Sequence, residues 1–335
     1  MKPKLNLKGR NLLSLRDLAD PEMLALLDLA DHLKCEKALG IRGNRLARMS
    51  IALIFEKAST RTRSAFTVAA VDEGASVEYL GAHDIHFGKK ESIKDSARVL
   101  GRMYDGIQFR GFKQQTVETL AEFAGVPVWN GLTDSEHPTQ ALADLMTIRE
   151  YFHNLKGLKT VYIGDGRNNV CSSLMLICAM AGVDFVDCTP PELVPEAAAL
   201  DQARAAAGRH GSSVSVCHDP MEAVRGANVV YTDVWVSMGE EKQFDERLRL
   251  LMPYQVNLPL MRRTGNLEND SVIFMHCLPA FHNHDTEVTR ELGALEVTDE
   301  VFEASYSKVF DQAENRLHTI KAVMLATLTD GVGYE

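Results

Sequence analysis

Short apolar runs alternate along the chain with segments of helical periodicity. Ser50–Phe55 is apolar after its first residue, the pattern of a strand buried on both faces. Helix Thr62–Glu73 follows, with Ala65, Phe66, Ala69 and Ala70 at helical spacing and Gly74 as its stop. Further on, the pattern predicts strand Ser76–Leu80, a polar loop Gly81–Glu91 and helix Ser92–Met103. Strand Gly106–Phe109, helix Thr116–Ala124 and strand Pro127–Trp129 come next. Upstream, Asp20-Pro21-Glu22 reads as a helix start, with a cap, a proline at the first helical position and an acid in the first turn. Leucines at 24, 26, 27, 29 and 33 follow it, and Gly40 lies past the end. Helix Pro138–Tyr151 leads out of this unit as a connector.

A second alternating series begins at strand Thr160–Gly164. It runs through helix Asn169–Ala181, strand Asp184–Cys188, helix Glu192–Gly208, strand Ser213–Cys217, helix Met221–Arg225, strand Val229–Thr232 and strand Val272–His276. Helix Lys308–Leu328 comes last, long enough to dock across domains. Strands alternating with helices imply parallel sheets. The expectation is an α/β fold with two doubly wound parallel-sheet domains joined by interdomain helices. The boundaries expected are 1–150 and 151–312, with the C-terminal helix 313–330 docking back on the first. Loops Thr133–Glu136, Trp235–Glu241 and Ala280–Asp285 follow strands, where such folds place ligands.

Composition narrows the partners. A chain of 335 residues is long for one core, and 45% hydrophobic with 24% charged residues is ordinary for a soluble globular protein. The net charge of −10 argues against nucleic acid or an anionic membrane surface as partner. An anionic substrate then needs a local positive site. The six cysteines, at 35, 171, 178, 188, 217 and 277, form no CxxC pair, so free thiols in a reducing, cytoplasmic setting are expected. No apolar leader follows Met1, and no run reaches membrane-spanning length.

The stretch Phe55–Arg63 supplies the positive site. Ser59-Thr60-Arg61-Thr62-Arg63 interleaves hydroxyls and guanidiniums where a strand becomes a helix. The first amides of a helix lack internal acceptors, and the helix dipole makes that end positive. Hydroxyls and Arg forks added there suit a phosphate. The alternative is a plain cap beside solvated arginines, and the interleaving favours phosphate.

Other clusters carry less weight singly. In Glu136-His137-Pro138-Thr139-Gln140, Pro138 takes the first helical position and leaves His137 at the helix mouth. The dipole there disfavours imidazolium, so His137 is expected to be neutral and a donor; a surface histidine beside a proline is an equal reading. Arg110-Gly111 ends a strand and suits an oxyanion. In Gly164-Asp165-Gly166-Arg167-Asn168-Asn169, Asn169 stands where a dinucleotide fingerprint needs its third glycine. That loop suits a small polar ligand such as a carboxylate. Asp233, followed by Ser237-Met238-Gly239, can hold an ammonium or simply cap a turn. In His276-Cys277-Leu278-Pro279, Cys277 is open to three readings: nucleophile, metal ligand or pocket wall. His276, His282 and His284 invite zinc, yet the spacing does not fit HExxH and no nearby acidic ligand stands out. Arg316 on the last helix either is solvated or reaches a phosphate.

Together these clusters resemble the aspartate/ornithine carbamoyltransferase superfamily, over nearly the whole chain. Ser59-Thr60-Arg61-Thr62-Arg63, Arg110 and His137-Pro138-x-Gln140 look like its carbamoyl phosphate site. Asp233-x-x-x-Ser237-Met238-Gly239 and His276-Cys277-Leu278-Pro279 look like its ornithine branch. The resemblance extends from Asn11-Leu12-Leu13-Ser14 to Arg316-Leu317-His318-Thr319. It implies a carbamoyl phosphate domain followed by an ornithine domain, a homotrimer or multiple of trimers, and no metal or organic cofactor. The implied reaction is carbamoyl transfer from carbamoyl phosphate to the δ-amine of L-ornithine, giving L-citrulline and phosphate.

By the same resemblance, Ser59, Thr60, Arg61 and Thr62 hold the phosphate, with help from Arg110 and Arg316. Arg110, Thr62 and His137 polarise the carbamoyl oxygen, with Pro138 and Thr139 lining that site. Gln140 and the carbonyls of Cys277 and Leu278 take the carbamoyl amide. Asn169 and the Ser237-Met238 backbone bind the ornithine carboxylate, and Asp233 its α-ammonium. Much of the family has glutamine where this chain has His86, on a loop implied to reach a neighbouring subunit's phosphate site. Arg63 is expected to brace the loop through Glu56 or another acid. Rival readings are a carbamoyltransferase for putrescine, aspartate or acylated ornithine, a non-catalytic binder, and a nicotinamide dehydrogenase, which the broken fingerprint disfavours.

Overall fold

The computed structural model describes residues 5–85, 87, 88, 90–236 and 244–331. The chain divides into a discontinuous unit, Met1–Met146 with Glu314–Glu335, and a continuous one, Thr147–Ala313.

The first unit opens with α1 (Asp20–Ala38) and continues as β1 (Ser50–Phe55), α2 (Thr60–Asp72), β2 (Ser76–Gly81), α3 (Ile93–Leu100), β3 (Gly106–Arg110), α4 (Gln114–Ala124), β4 (Val128–Leu132) and α5 (Pro138–Phe152). Its four strands are parallel, in the order β2-β1-β3-β4. The chain leaves β1 to one side and returns to the other, so the order reverses between β1 and β3. Ligands bind at such a switch point, outside the carboxyl ends of the strands. Phe55 pairs with Arg110, which sets that arginine beside the loop into α2. Ile51 to Phe55 are all buried, and burying each large aliphatic or aromatic side chain is worth about 1.5–3 kcal/mol. Ala52, Ile54, Ile107, Phe109, Val117, Leu120 and Val128 form the core on one face.

The second unit holds β5 (Lys159–Ile163), α6 (Asn169–Met180), β6 (Asp184–Cys188), α7 (Ala197–His210), β7 (Val214–Cys217), α8 (Pro220–Ala223), β8 (Val229–Thr232), α9 (Phe244–Leu251), α10 (Leu258–Arg263), β9 (Ile273–His276), α11 (Thr289–Leu292) and α12 (Asp299–Phe302). Its five parallel strands run β7-β6-β5-β8-β9, with the reversal between β5 and β8. The last helix, α13 (Val309–Leu328), starts in the second unit and ends in the first.

The expected α/β class and the parallel strands are present, with shifted edges. β4 extends to Leu132, three residues past the expected end, because Asn130 pairs with Phe109 and Leu132 with Arg110, with Gly131 left as a bulge between them. Asp20 lies inside α1: Ala19 is the cap residue, and its N–H donates to the Glu22 carboxylate at 2.9 Å. Four short helices, α9 to α12, have no counterpart in the periodicity, since segments of four to eight residues barely complete a repeat.

Candidate active site

Ser59 caps α2: its hydroxyl accepts the Thr62 N–H at 3.2 Å. The helix therefore starts at Thr60, not Thr62, and Thr60, Arg61 and Thr62 form its first turn. First-turn amides as a class lack intrahelical acceptors, and here Ser59 takes that of Thr62, an arrangement that suits an anion at the switch point.

Two arginines meet on one hydroxyl there. Thr62 Oγ1 accepts from Arg110 Nη1 at 3.2 Å and from Arg316 Nη2 at 2.9 Å. Thr62, Arg110 and Arg316 are buried. A hydroxyl has two lone pairs and one proton. With both lone pairs taken, Thr62 is left with its O–H to donate, which suits an oxyanion.

His137 is buried at the start of α5. Its pKa is pushed well down, first by burial and then by the charges of Arg316, Arg110 and Arg61. That direction favours the neutral imidazole expected from sequence, with burial and three guanidiniums as its causes. The preceding Glu136 is buried and hydrogen-bonds Ser14 Oγ at 3.1 Å and Arg16 Nη2. Burial raises its pKa, while Arg16 and Ser14 oppose the rise. Lys57 Nζ reaches Asp134 Oδ1 at 2.8 Å, tying the α2 loop to the loop before His137. Gln140 is buried and donates to Asp144 Oδ1 at 2.8 Å, while Pro138 and Thr139 are also buried. Arg63 does not pair with Glu56: its guanidinium lies over the Tyr79 ring at 3.7 Å, and Glu56 accepts from the Phe112 N–H at 3.1 Å.

The second unit gathers a different set. Asp233 is buried just past β8, and Cys277 Sγ donates to its Oδ1 at 3.0 Å. Asp233 Oδ1 also accepts the Val234 N–H at 2.8 Å. Asn169 opens α6, capped by Asn168, whose Oδ1 accepts the Val170 N–H at 2.7 Å. All six cysteines are free thiols.

Acidic groups do lie near the histidine-cysteine turn, contrary to expectation. Asp233, His276 and Cys277 bring ligand-type atoms within 4.8 Å of one another. His276 is committed elsewhere, however: Nδ1 accepts the Leu278 N–H at 2.9 Å, and Nε2 faces Glu296 Oε1 at 3.2 Å. An amide can only donate, so the ring proton sits on Nε2. Glu296 Oε1 also accepts the Phe281 N–H at 2.6 Å. His276 and Glu296, both fully buried, thus brace the turn that holds Leu278 at φ +61. Strained backbone of this kind in a branched residue gathers at functional sites. A second group, His282, Asp299 and Glu303, lies nearer solvent, with His282 stacked on Phe302. Their carboxylates were invisible to a search for zinc spacing, because the partners sit 17 residues or more apart.

Two family models match the chain. Residues 10–150 match "Aspartate/ornithine carbamoyltransferase, carbamoyl-P binding domain", and residues 156–327 match "Aspartate/ornithine carbamoyltransferase, Asp/Orn binding domain". The chain belongs to the aspartate/ornithine carbamoyltransferase family. A relative in Bacillus licheniformis named "Ornithine carbamoyltransferase, catabolic" is 56% identical over 336 residues, covering 98% of this chain and 99% of that one. One of the same name in Staphylococcus aureus is 55% identical over 329 residues, covering 96% and 97%. Among solved structures, ornithine carbamoyltransferase from Pyrococcus furiosus superposes with a TM-score of 0.89 at 42% identity, covering 96% of this chain and 98% of that one. That from Gloeobacter violaceus gives 0.82 at 42%, covering 97% and 100%.

Within this carbamoyltransferase chain, the described residues of the first cluster (Ser59 to Thr62, Arg110, His137 and Arg316) belong to one unit, and Asn169, Asp233, Cys277 and Leu278 belong to the other. His86, Ser237 and Met238 lie outside the described residues. Sequence reading missed Ser14 and Arg16 as supports of Glu136, and His276 as a brace. For the first pair the only signal was their place beside the Asn11-Leu12-Leu13-Ser14 motif.

Proposed function

We infer that this chain transfers the carbamoyl group of carbamoyl phosphate to the δ-amine of L-ornithine, forming L-citrulline and phosphate. The observation that carries the phosphate half is the Thr62 hydroxyl held between Arg110 and Arg316 at the switch point. Family membership and relatives named ornithine carbamoyltransferase support the rest.

In the proposed mechanism the neutral δ-amine attacks the carbamoyl carbon, and the carbonyl electron pair moves onto oxygen. Thr62 O–H, Arg110 and neutral His137 stabilise that oxyanion. When the carbonyl re-forms, the C–O bond to phosphate breaks, and its electron pair leaves with a phosphate held by Ser59, Thr60, Arg61, Thr62, Arg110 and Arg316. The amine loses one proton, which the departing phosphate takes up. Gln140 and the carbonyls of Cys277 and Leu278 orient the carbamoyl amide, while Pro138 and Thr139 line the pocket. Asp233 pairs with the α-ammonium of ornithine. Asn169 and the Ser237-Met238 segment take its carboxylate, and His86 donates to phosphate from a neighbouring subunit. Cys277 positions Asp233 and is not a nucleophile. We further propose a cytoplasmic homotrimer or multiple of trimers, which light scattering tests. Among the described residues no helix is long and apolar enough to cross a membrane.

The relatives' catabolic designation supports a physiological direction from citrulline and phosphate back to ornithine and carbamoyl phosphate.

The deciding assay incubates carbamoyl phosphate with ornithine, putrescine, aspartate or acetylornithine and measures ureido product. Product with ornithine alone is expected. Product with another amine only reassigns the substrate, and none with any amine leaves a binder. Arg61→Gly is expected to keep its fold and lose ~10²–10³ in turnover, the usual cost of one transition-state donor.

A further inference from the structure

Behind the Thr62 cluster, three helices of the first unit are tied by polar contacts, of which Lys321–Asp72 is buried. Lys321 of α13 and Lys37 of α1 both donate to Asp72 Oδ2, the last residue of α2, at 2.9 and 2.7 Å. Lys34 of α1 donates to Asn315 Oδ1 of α13 at 2.8 Å. Lys321 and Asp72 are 4% and 6% exposed, so both charges have largely left water. Burial raises the Asp72 pKa, and the two ammonium groups outweigh it and hold the carboxyl below its usual range.

A buried ion pair is a poor choice for stability alone. Apolar side chains of similar volume often serve as well or better, because desolvation offsets the Coulomb attraction. What the pair does supply is direction. Arg316 and Lys321 are five residues apart on α13, about 140° around the axis at about 100° per residue. They reach opposite ends of α2, Thr62 in its first turn and Asp72 at its last residue. Two contacts on different flanks of α13 fix both its sliding and its roll against α2. Loss of the Asp72 contact removes one of these two restraints between α13 and α2 and leaves Arg316–Thr62 as the other.

We propose that Lys321, through Asp72, is a positioning residue for Arg316 in the phosphate site. This rests on the reading of Arg316 as a phosphate ligand. Lys37 provides the internal control, since it binds the same oxygen of Asp72 but does not belong to α13.

Steady-state kinetics on purified full-length Lys321→Met, Lys321→Arg, Lys37→Met and Arg316→Gln test it. Lys321→Met is expected to raise KM for carbamoyl phosphate about tenfold or more, as a small misplacement of a binding group does, while kcat changes little. Lys321→Arg, which keeps a donor for Asp72, restores most of the affinity. Lys37→Met leaves KM within about twofold of wild type. An unchanged KM in Lys321→Met, a fall in kcat alone, or an equal rise in Lys37→Met overturns the proposal. If Arg316→Gln also leaves KM unchanged, the phosphate-site reading has failed rather than the positioning one. Should Lys321→Met not fold, Lys321→Gln is assayed in its place. The shift in melting temperature caused by inorganic phosphate provides a readout independent of turnover, and it is expected to shrink in either variant and to persist in Lys37→Met.

Discussion

Thr62 Oγ1 stands 2.9 Å from Arg316 Nη2, a contact between the first turn of α2 and the chain's last helix. Because Arg110 fills the other lone pair, the hydroxyl keeps its proton to donate. Thr62→Val keeps the shape and removes the proton. Its kcat is expected to fall by ~10²–10³, as for the loss of one oxyanion donor, and Thr62→Ser should recover most of it. Wild-type turnover in a folded Thr62→Val enzyme would mean the hydroxyl is not a donor.

His137 should stay neutral well below the usual imidazole range, since burial and the guanidiniums of Arg316, Arg110 and Arg61 all disfavour its proton. A base with a depressed folded pKa binds fewer protons folded than unfolded. Stability is then lost as pH falls through the unfolded value near ~6.5. Urea unfolding of His137→Asn between pH 5 and pH 7.5 is expected to show a flatter acid limb than wild type. Ring nitrogen shifts of a protonated His137 at pH 6 would contradict this.

Asp187 is buried at the carboxyl end of β6, and its pKa is pushed up to about 8 by burial and by the nearby charge of Asp165, against the pull of the Cys171 thiol. Here the folded state holds the proton that the unfolded state releases near ~4. Stability therefore falls as pH rises from there towards about 8, by at most ~1.4 kcal/mol per pH unit. Asp187→Asn carries no such charge, so its stability should gain on wild type steadily across that window. Parallel unfolding curves for the two proteins from pH 5 to pH 8 would rule the protonated carboxyl out.

Cys277 Sγ and Asp233 Oδ1, 3.0 Å apart, come from the ends of neighbouring strands β9 and β8. Cys277→Ser keeps a donor to Asp233 and should change KM for ornithine little. Cys277→Ala removes it and is expected to raise that KM severalfold. Mass spectra of enzyme quenched during turnover should show no carbamoyl adduct. A trapped carbamoyl-cysteine would make Cys277 a nucleophile after all.

The alternation of strand and helix was readable because buried parallel strands such as Ser50–Phe55 are continuous apolar runs and their helices carry a regular repeat. The hydroxyl-rich helix start was readable because Ser59 to Thr62 lie on consecutive residues. What sequence did not reveal depends on distance along the chain. Thr62 finds Arg110 48 residues away, and Asp233 finds Cys277 after 44. Arg63 was misassigned because its partner, Tyr79, sits on the neighbouring strand and is a ring, not an acid. Asp187 looked like any polar residue near a strand end; its lack of solvent is a property of packing.

The discontinuity of the first unit sets an order of events during synthesis. Arg316 is made 254 residues after Thr62, which at ~5–20 residues per second is ~13–50 s later. Until then a ribosome-bound chain carries β1 to β4 without the helix that supplies Arg316 to Thr62, Lys321 to Asp72 and Thr327 to the Trp129 indole. The second unit, Thr147–Ala313, is contiguous and emerges complete before the first can close. The domain begun first is the one finished last, and for that interval Thr62 and Arg110 stand without Arg316.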